Sequence, residues 1–210
     1  MIFHNFCVKV SLSNKGCETV NYYISDLHFG HRAIIDLDER PFNDVTEMEW
    51  ALIDNWNEVV TENDTVYILG DFCWDRRETK RLISELNGNK VLIVGNHDAE
   101  HYTADIRKLF VDIQKQMTIT DGDKTVLLSH YPVLDFDGDT DKSVVMLHGH
   151  LHKNYGTEEN EREIKKRKAE NEDYTAQIYN CGCMLSYMNY RPQTLEIIIN
   201  GAEKYRAENF

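Results

Sequence analysis

Residues 91–98 read Val-Leu-Ile-Val-Gly-Asn-His-Asp, an apolar run that stops abruptly at side chains able to bind a metal or move a proton. A run of this length and β-branched content predicts a short strand buried on both faces. The polar residues that follow it would then lie at the carboxyl end of a buried strand. This arrangement indicates an α/β fold with its chemistry at one edge of a sheet.

The same pattern occurs four more times along the chain. Because the carboxyl ends of strands in open α/β sheets meet at one edge, we expect the polar groups after all five runs to converge. One such motif is weak, since an aspartate after a strand often only begins a loop. The runs at 22–24, 66–69, 91–94, 126–128 and 144–147 precede, respectively, Asp26 and His28; Asp71; Asn96, His97 and Asp98; His130; and His150 and His152.

The segments between the runs carry helical patterns. Residues 45–60 place apolar side chains at helical spacing after Asp44, a plausible N-cap, and residues 76–86 predict a shorter helix. Residues 195–199 are predicted to form another strand. The highly charged residues 156–174 predict a solvated helix or a mobile insertion; a lid over the substrate is the less favoured alternative.

The bulk composition limits the function classes. With 210 residues and 41% hydrophobic residues, the chain is expected to form one domain over residues 1–210, with the charged insertion at about 156–174. The net charge of −13 disfavours non-specific nucleic-acid binding. No apolar run is long enough to cross a membrane, and the five cysteines do not suggest a disulfide framework. A cytoplasmic location is therefore expected.

The side chains after the five runs have the composition of a metal site. They offer carboxylates, an amide oxygen and several imidazoles, a mixture that suits first-row divalent metals better than Ca²⁺ or Mg²⁺. The cysteines lie outside these motifs, so a closed structural zinc site is not indicated.

The motif order D-x-H, G-D, G-N-H-D, H and G-H-x-H between Asp26 and His152 resembles the calcineurin-like metallophosphoesterase superfamily, in particular its small bacterial and phage members. The resemblance implies an α/β fold: a four-layer α-β-β-α sandwich with two packed mixed sheets. It also implies a phosphoesterase with two divalent metal ions, in which a metal-bridging hydroxide attacks the phosphorus of a phosphomonoester or phosphodiester. Mn²⁺ is the expected metal, with Fe, Zn or Ni as alternatives.

The resemblance also implies a role for each motif residue. Asp71 would bridge the two ions, which lie close enough together to need a shared anion. His97 would donate a proton to the leaving group, and Asp98 would hold its ring. The first ion would be bound by Asp26, His28, Asp71 and His152, and the second by Asp71, Asn96, His130 and His150.

Several other residues allow two interpretations, one functional and one structural. His31 could contact substrate or cap a helix, and Arg32 is the first candidate for binding a substrate phosphate. Trp74 and Tyr155 could stack on a planar leaving group, although packing is their more common role. Further candidate phosphate ligands are Arg40, Lys153 and Arg191.

Three functions compete for this sequence. The leading one is hydrolysis of a phosphate ester of a small molecule or nucleotide, with no membrane partner. A nuclease is disfavoured by the acidic charge and by the lack of a basic stripe. A metal-binding interaction scaffold on the same fold is disfavoured by the intact His97, because binding alone requires no proton donor.

Overall fold

The first sheet has four strands, and each strand pairs in parallel with its neighbours. A computed structural model describes residues 19–98, 102–153 and 156–210. In register, Ile24 lies opposite Ile68, and Ile68 lies opposite Leu92, so three strands end at the same level. The strands are β1 Asn21–Ile24, β2 Thr65–Ile68, β3 Asn89–Ile93 and β4 Asp112–Gln114, in the order β1-β2-β3-β4.

The second sheet is mixed, with one antiparallel strand at its edge. β5 pairs antiparallel with β6, whereas the other pairs are parallel. Leu147 lies opposite both Leu128 and Tyr179, which again aligns the carboxyl ends. The strands, in sheet order, are β5 Gln116–Asp121, β6 Lys124–Ser129, β7 Val144–His148 and β8 Gln177–Asn180.

Six helices accompany the sheets in the described residues. α2 begins where predicted, because the Asp44 side chain accepts hydrogen bonds from the backbone N–H groups of Thr46 and Glu47. The helices are α1 Arg32–Leu37, α2 Val45–Val59, α3 Thr79–Glu85, α4 Ala104–Arg107, α5 Thr157–Glu170 and α6 Leu195–Asn209. None of these helices is long and apolar enough to cross a bilayer.

Alternating side chains of β7 separate two layers of core. Val145 and Leu147 join the large cluster that contains residues of both sheets and of α2 and α3. Met146 points to the opposite face of its sheet and packs with Ile178 and with Ile164 of α5. Two sheets flanked by helices therefore form the predicted α/β sandwich, with the first sheet parallel throughout its described pairs and the second mixed.

The prediction of a strand at residues 195–199 was wrong, because these residues begin α6. Leu195, Ile198 and Ala202 are buried at helical spacing, and α6 contacts both β8 and β1. The charged residues 156–174 contain the predicted helix, α5. Its Ile164 is buried, so the helix is docked on the second sheet through one apolar position.

Candidate metal centre

The polar residues after the strands converge at the aligned carboxyl ends of both sheets. Four of them, Asp26, His28, Asp71 and His150, have φ values between 52° and 66°, the left-handed region that side chains with a Cβ seldom adopt. Backbone strain of this kind persists where the surrounding structure holds a functional geometry. The strained turns point several short polar side chains into one volume.

Two groups of potential ligand atoms overlap in this volume. Asp26, His28 and His152 form one group, and Asp26, Asp71 and His130 form the other; within each group the atoms lie within 4.8 Å of one another. Asp26 belongs to both groups.

Asp71 lies between the histidines of the two groups. Its Oδ2 is 3.6 Å from Nε2 of His28, and its Oδ1 is 3.6 Å from Nε2 of His130. The two oxygens of one carboxylate thus face both groups, which is the arrangement that a bridging ligand needs.

Asn96 and His150 lie beside the second group. Oδ1 of Asn96 is 2.9 Å from Nε2 of His130, and the rings of His130 and His150 are 5.1 Å apart. Nδ1 of His130 donates to the carbonyl oxygen of Leu69 at 2.8 Å, so Nε2 of the neutral ring carries a lone pair. Two lone-pair atoms that face each other at 2.9 Å suit a cation between them.

The remaining polar atoms fit a bound metal equally well. Nε2 of His28 is buried and has no hydrogen-bond partner among the residues that the structure describes. Gly95 and Gly149 leave room for the ligands: a Cβ at Gly95 would lie 2.3 Å from Oδ1 of Asp71, and a Cβ at Gly149 would lie 2.7 Å from Oδ2 of Asp26. The donor set of carboxylate, imidazole and amide atoms fits first-row divalent ions.

Burial controls the charges in the centre. It raises the pKa of Asp26, although His130 and His152 oppose the shift, and it lowers the pKa of His28, with help from the charge of Arg40. Burial would also lower the pKa of His152, but the hydrogen bond to Asp38 and the negative charges of Asp26 and Asp38 raise it overall. A divalent cation would offset the cost of burying these carboxylates.

His97 lies at the open side of the centre. Its side chain is 39% exposed, and its Nε2 is 3.9 Å from Oδ2 of Asp71. The backbone N–H of His97 donates to Oδ1 of Asp71 at 2.9 Å, and its ring contacts the rings of His28 and Trp74. An imidazole in this position can reach both the centre and an incoming molecule.

Asp98 does not take the position expected for an orienting partner of His97. Its Oδ2 accepts from the backbone N–H groups of Asp71 and Gly95 at 2.7 and 2.9 Å. Its Oδ1 accepts from the N–H of Phe72 and from the hydroxyl of Tyr102. Both oxygens are therefore engaged by the loops after β2 and β3, and burial raises the pKa of this carboxyl group. Asp98 therefore ties those two loops together.

A cavity of about 520 Å³ opens over the centre. Its lining includes Asp71 and His97, and Ile34, Leu37 and Leu151 provide apolar surface. The described residues that line it are His28, His31, Ile34, Leu37, Asp38, Asp71, Asn96, His97, His150, Leu151, His152 and Gly156.

The structure places His31 at the cavity and Arg32 away from it. His31 lines the cavity and stacks on Trp74 with ring centroids 3.9 Å apart, and its side chain makes no capping hydrogen bond to α1. Arg32 pairs with Asp36 at the surface and is not among the residues that line the cavity. Tyr155 lies outside the described residues.

The guanidinium groups proposed as phosphate ligands are engaged elsewhere. Arg40 is buried and bonds to Asp38 and to the carbonyl oxygens of Asp26 and Leu27. Arg191 pairs with Glu58. The phosphate-binding prediction for Arg40 was wrong, because its side chain has no exposed surface.

Asp38 is the residue of the centre that the sequence motifs missed. It follows α1 and comes after no strand, and its carboxylate lies 2.8 Å from Nδ1 of His152, 114 residues away. Burial would raise the pKa of Asp38, but its bonds to His152 and Arg40 outweigh this and hold the pKa below its usual range. A rule based on strand ends contains no signal for such a residue.

Comparison with known proteins agrees with the motifs. Residues 22–190 match the family model described as calcineurin-like phosphoesterase. The chain is 35% identical to the uncharacterised protein MJ1445 of Methanocaldococcus jannaschii, covering 87% of this chain and 91% of that protein. It is 30% identical to the gene 66 protein of Mycobacterium phage L5, covering 62% of this chain and 76% of that protein.

A solved structure supports the fold. The crystal structure of the protein of unknown function AQ665 from Aquifex aeolicus aligns with a TM-score of 0.62 and 25% sequence identity. The alignment covers 89% of this chain and 99% of the other. The resemblance read from the motifs is thus confirmed at the level of the fold and the family.

Proposed function

Because the chain belongs to the calcineurin-like phosphoesterase family, we propose that it hydrolyses a phosphomonoester or phosphodiester of a small molecule or nucleotide with two divalent metal ions. The observation that carries the proposal is that the two oxygens of Asp71 face His28 and His130, which belong to two adjacent ligand groups, below a cavity that His97 also lines. Asp26, His28, Asp71 and His152 would bind one ion, and Asp71, Asn96, His130 and His150 the other.

The ions would supply the charge that this chemistry needs: paired divalent cations lower the pKa of water and offset negative charge on the phosphoryl oxygens. The protein holds their ligands in position. The carbonyl of Leu69 and the carboxylate of Asp38 fix the tautomers of His130 and His152, which leaves Nε2 of each ring facing the centre.

His97 would deliver the proton that the leaving oxygen requires. Its backbone is tied to Asp71, its ring contacts Trp74, and its exposed fraction allows contact with substrate and solvent. An imidazole ring has one nitrogen that can donate a proton and one that can accept a proton, so it can act as a general acid and be restored in each cycle. This role supports a hydrolase over a scaffold that only binds metal.

Mn²⁺ remains our preferred ion. Fe, Zn and Ni are the alternatives, because mixed nitrogen and oxygen ligands suit all four metals. Metal-stripped protein should be assayed with p-nitrophenyl phosphate and bis-p-nitrophenyl phosphate after each ion is added back singly, with Asp71→Asn alongside. The proposal predicts that Mn²⁺ restores turnover of at least one ester and that the variant stays inactive. Folded, metal-loaded protein that hydrolyses neither these esters nor a panel of nucleotides would contradict it.

A further inference from the structure

Asp38 and Arg40 form a buried ion pair next to the first ligand group. Oδ1 and Oδ2 of Asp38 lie 2.8 and 2.9 Å from Nδ1 of His152. Nε and Nη2 of Arg40 donate to Oδ2 of Asp38 at 3.1 and 3.0 Å. The side chains of the pair are 2% and 0% exposed, respectively, so water does not compete for these bonds.

Arg40 also binds the backbone that carries two other members of the group. Its Nη2 donates to the carbonyl oxygen of Asp26 at 2.8 Å, and its Nη1 donates to that of Leu27 at 2.9 Å. Asp26 and His28 flank this point, and both have left-handed backbone angles. A guanidinium with several fixed donors can hold such a turn and a carboxylate together, whereas an ammonium cannot present the same fork.

The pair therefore connects two separate loops. One end holds the turn of Asp26 and His28 after β1, and the other end holds the ring of His152 after β7. These three residues are the members of one ligand group. The hydrogen bonds described for Asp38 and Arg40 include none to Asn96, His130 or His150.

We infer that Asp38 and Arg40 are positioning residues that set the metal affinity of the first site alone, the site of Asp26, His28 and His152. This inference rests on the proposed function, because it concerns one of two proposed ions. Partners of metal-bound histidines typically contribute about 10- to 100-fold to metal affinity. Loss of the Asp38 charge should weaken one site by that factor and leave the other unchanged.

The test compares two buried aspartates that have similar exposure. Asp38→Asn keeps the size of the side chain, and Asp64→Asn is the control: Asp64 is 4% exposed, compared with 3% for Asp38, and binds Thr61 and Val20 instead. Mn²⁺ binding to metal-stripped protein is measured by equilibrium dialysis, and His152→Ala and His130→Ala identify the two sites. Melting of the metal-free proteins checks that each variant is folded.

The expected result is a Kd about 10- to 100-fold higher at the site that His152→Ala removes, with the site that His130→Ala removes unaffected. Asp64→Asn should bind as wild type does. Arg40→Lys, which keeps the charge but loses the fork, should weaken the same site as Asp38→Asn.

Three results would overturn the inference: wild-type affinity at both sites in folded Asp38→Asn, equal weakening of both sites, or the same change in Asp64→Asn. The wild-type arm tests the proposed function separately. If the wild-type chain binds one ion only, the two-metal proposal fails. The inference then holds only if Asp38→Asn and His152→Ala both weaken the binding of that ion.

Discussion

At the scale of the residue, a substitution of His97 distinguishes metal binding from the proposed proton donation. It contacts Asp71 through its backbone, and its ring stays partly exposed at the cavity. Replacing the ring with a methyl group removes the proposed proton donor and leaves every proposed metal ligand in place. His97→Ala should lower kcat by about 10²- to 10⁴-fold.

The measurement for His97→Ala is steady-state hydrolysis of bis-p-nitrophenyl phosphate, with metal content determined on the same samples. The variant should retain the metal stoichiometry of the wild type. Unchanged kcat would exclude the proton-donor role, and loss of metal would make His97 a ligand instead.

Gly95 tests whether the loop after β3 must approach Asp71 closely. A Cβ at this position would lie 2.3 Å from Oδ1 and 2.6 Å from the backbone nitrogen of Asp71, so the carboxylate would have to move. Gly95→Ala should weaken Mn²⁺ binding at least about tenfold, the lower end of the effect of disturbing a ligand's surroundings.

Gly122→Ala is the matched control for Gly95→Ala. A Cβ at Gly122 would meet nothing within 4 Å, and its φ of 61° would cost only about 1 kcal/mol of stability. This variant should bind Mn²⁺ as wild type does. Equal metal affinities of the two alanine variants in dialysis would show that the close approach has no role.

The convergence of individual residues was predictable where a strand end marked them. Asp26, Asp71 and His130 follow the ends of strands within three residues, so parallel strand ends bring them together. Asp38 was not predicted as part of the site, because its position depends on how α1 leads into the next turn and on a contact with His152. The expected contact between Asp98 and His97 depended on loop geometry, which motif order does not specify.

At the scale of the element, α5 tests how a highly charged helix is held. Ile164 is its buried aliphatic residue and packs with Met146 and Ile178 of the second sheet. Ile164→Ala should reduce the free energy of unfolding by about 2–4 kcal/mol, because it leaves a cavity against that sheet.

Urea unfolding of Ile164→Ala is the direct measurement, with Glu159→Ala on an exposed position of the same helix as the control. The control should change stability by less than about 0.5 kcal/mol. Ester hydrolysis by the folded fraction should be unchanged in both variants. If Ile164→Ala costs no more than the control, α5 does not depend on this contact.

Element prediction succeeded for the five strands with an apolar run and missed β4, β5 and β8. The five apolar runs correspond to β1, β2, β3, β6 and β7. β5, at residues 116–121, alternates half-buried and exposed side chains at the edge of its sheet, so it has no apolar run to detect. The run at 195–199 was wrongly predicted as a strand, because four apolar residues in five fit a strand and a partly buried helix equally well.

At the scale of the whole molecule, acid stability depends on carboxylates that the fold keeps charged. Burial alone would raise the pKa of Asp64, but hydrogen bonds from the hydroxyl and N–H of Thr61 and from the N–H of Val20 hold it below its usual range. A lowered pKa stabilises the fold above the unfolded value of about 3.9, and this stabilisation is lost as pH falls through the folded pKa.

Asp64→Asn should therefore lower the free energy of unfolding by about 1–3 kcal/mol at pH 7, with the difference from wild type shrinking below about pH 4. Urea titrations between pH 3 and pH 7 measure both quantities. Asp54→Asn, at an exposed position of α2, should follow wild type throughout. A difference that stays constant down to pH 3 would show that the charge of Asp64 does not contribute.

The location of the protein in the cytoplasm and its organisation as one domain with an insertion stay predictions. The family and the sandwich rest on features that extend over most of the chain, since the matched residues 22–190 include both sheets. We expect substrate choice to depend instead on the cavity wall, which includes Ile34, Leu37 and Leu151. Loops and helix ends form this wall, and no periodic pattern encodes their shape.

The most direct test of the account is a titration of metal-free protein with Mn²⁺ in which bound ions per chain and ester turnover are measured on the same sample. The account predicts saturation at two ions per chain, with turnover rising as the second ion binds. Saturation of folded protein at one ion, or two bound ions without turnover of any phosphate ester, would contradict it.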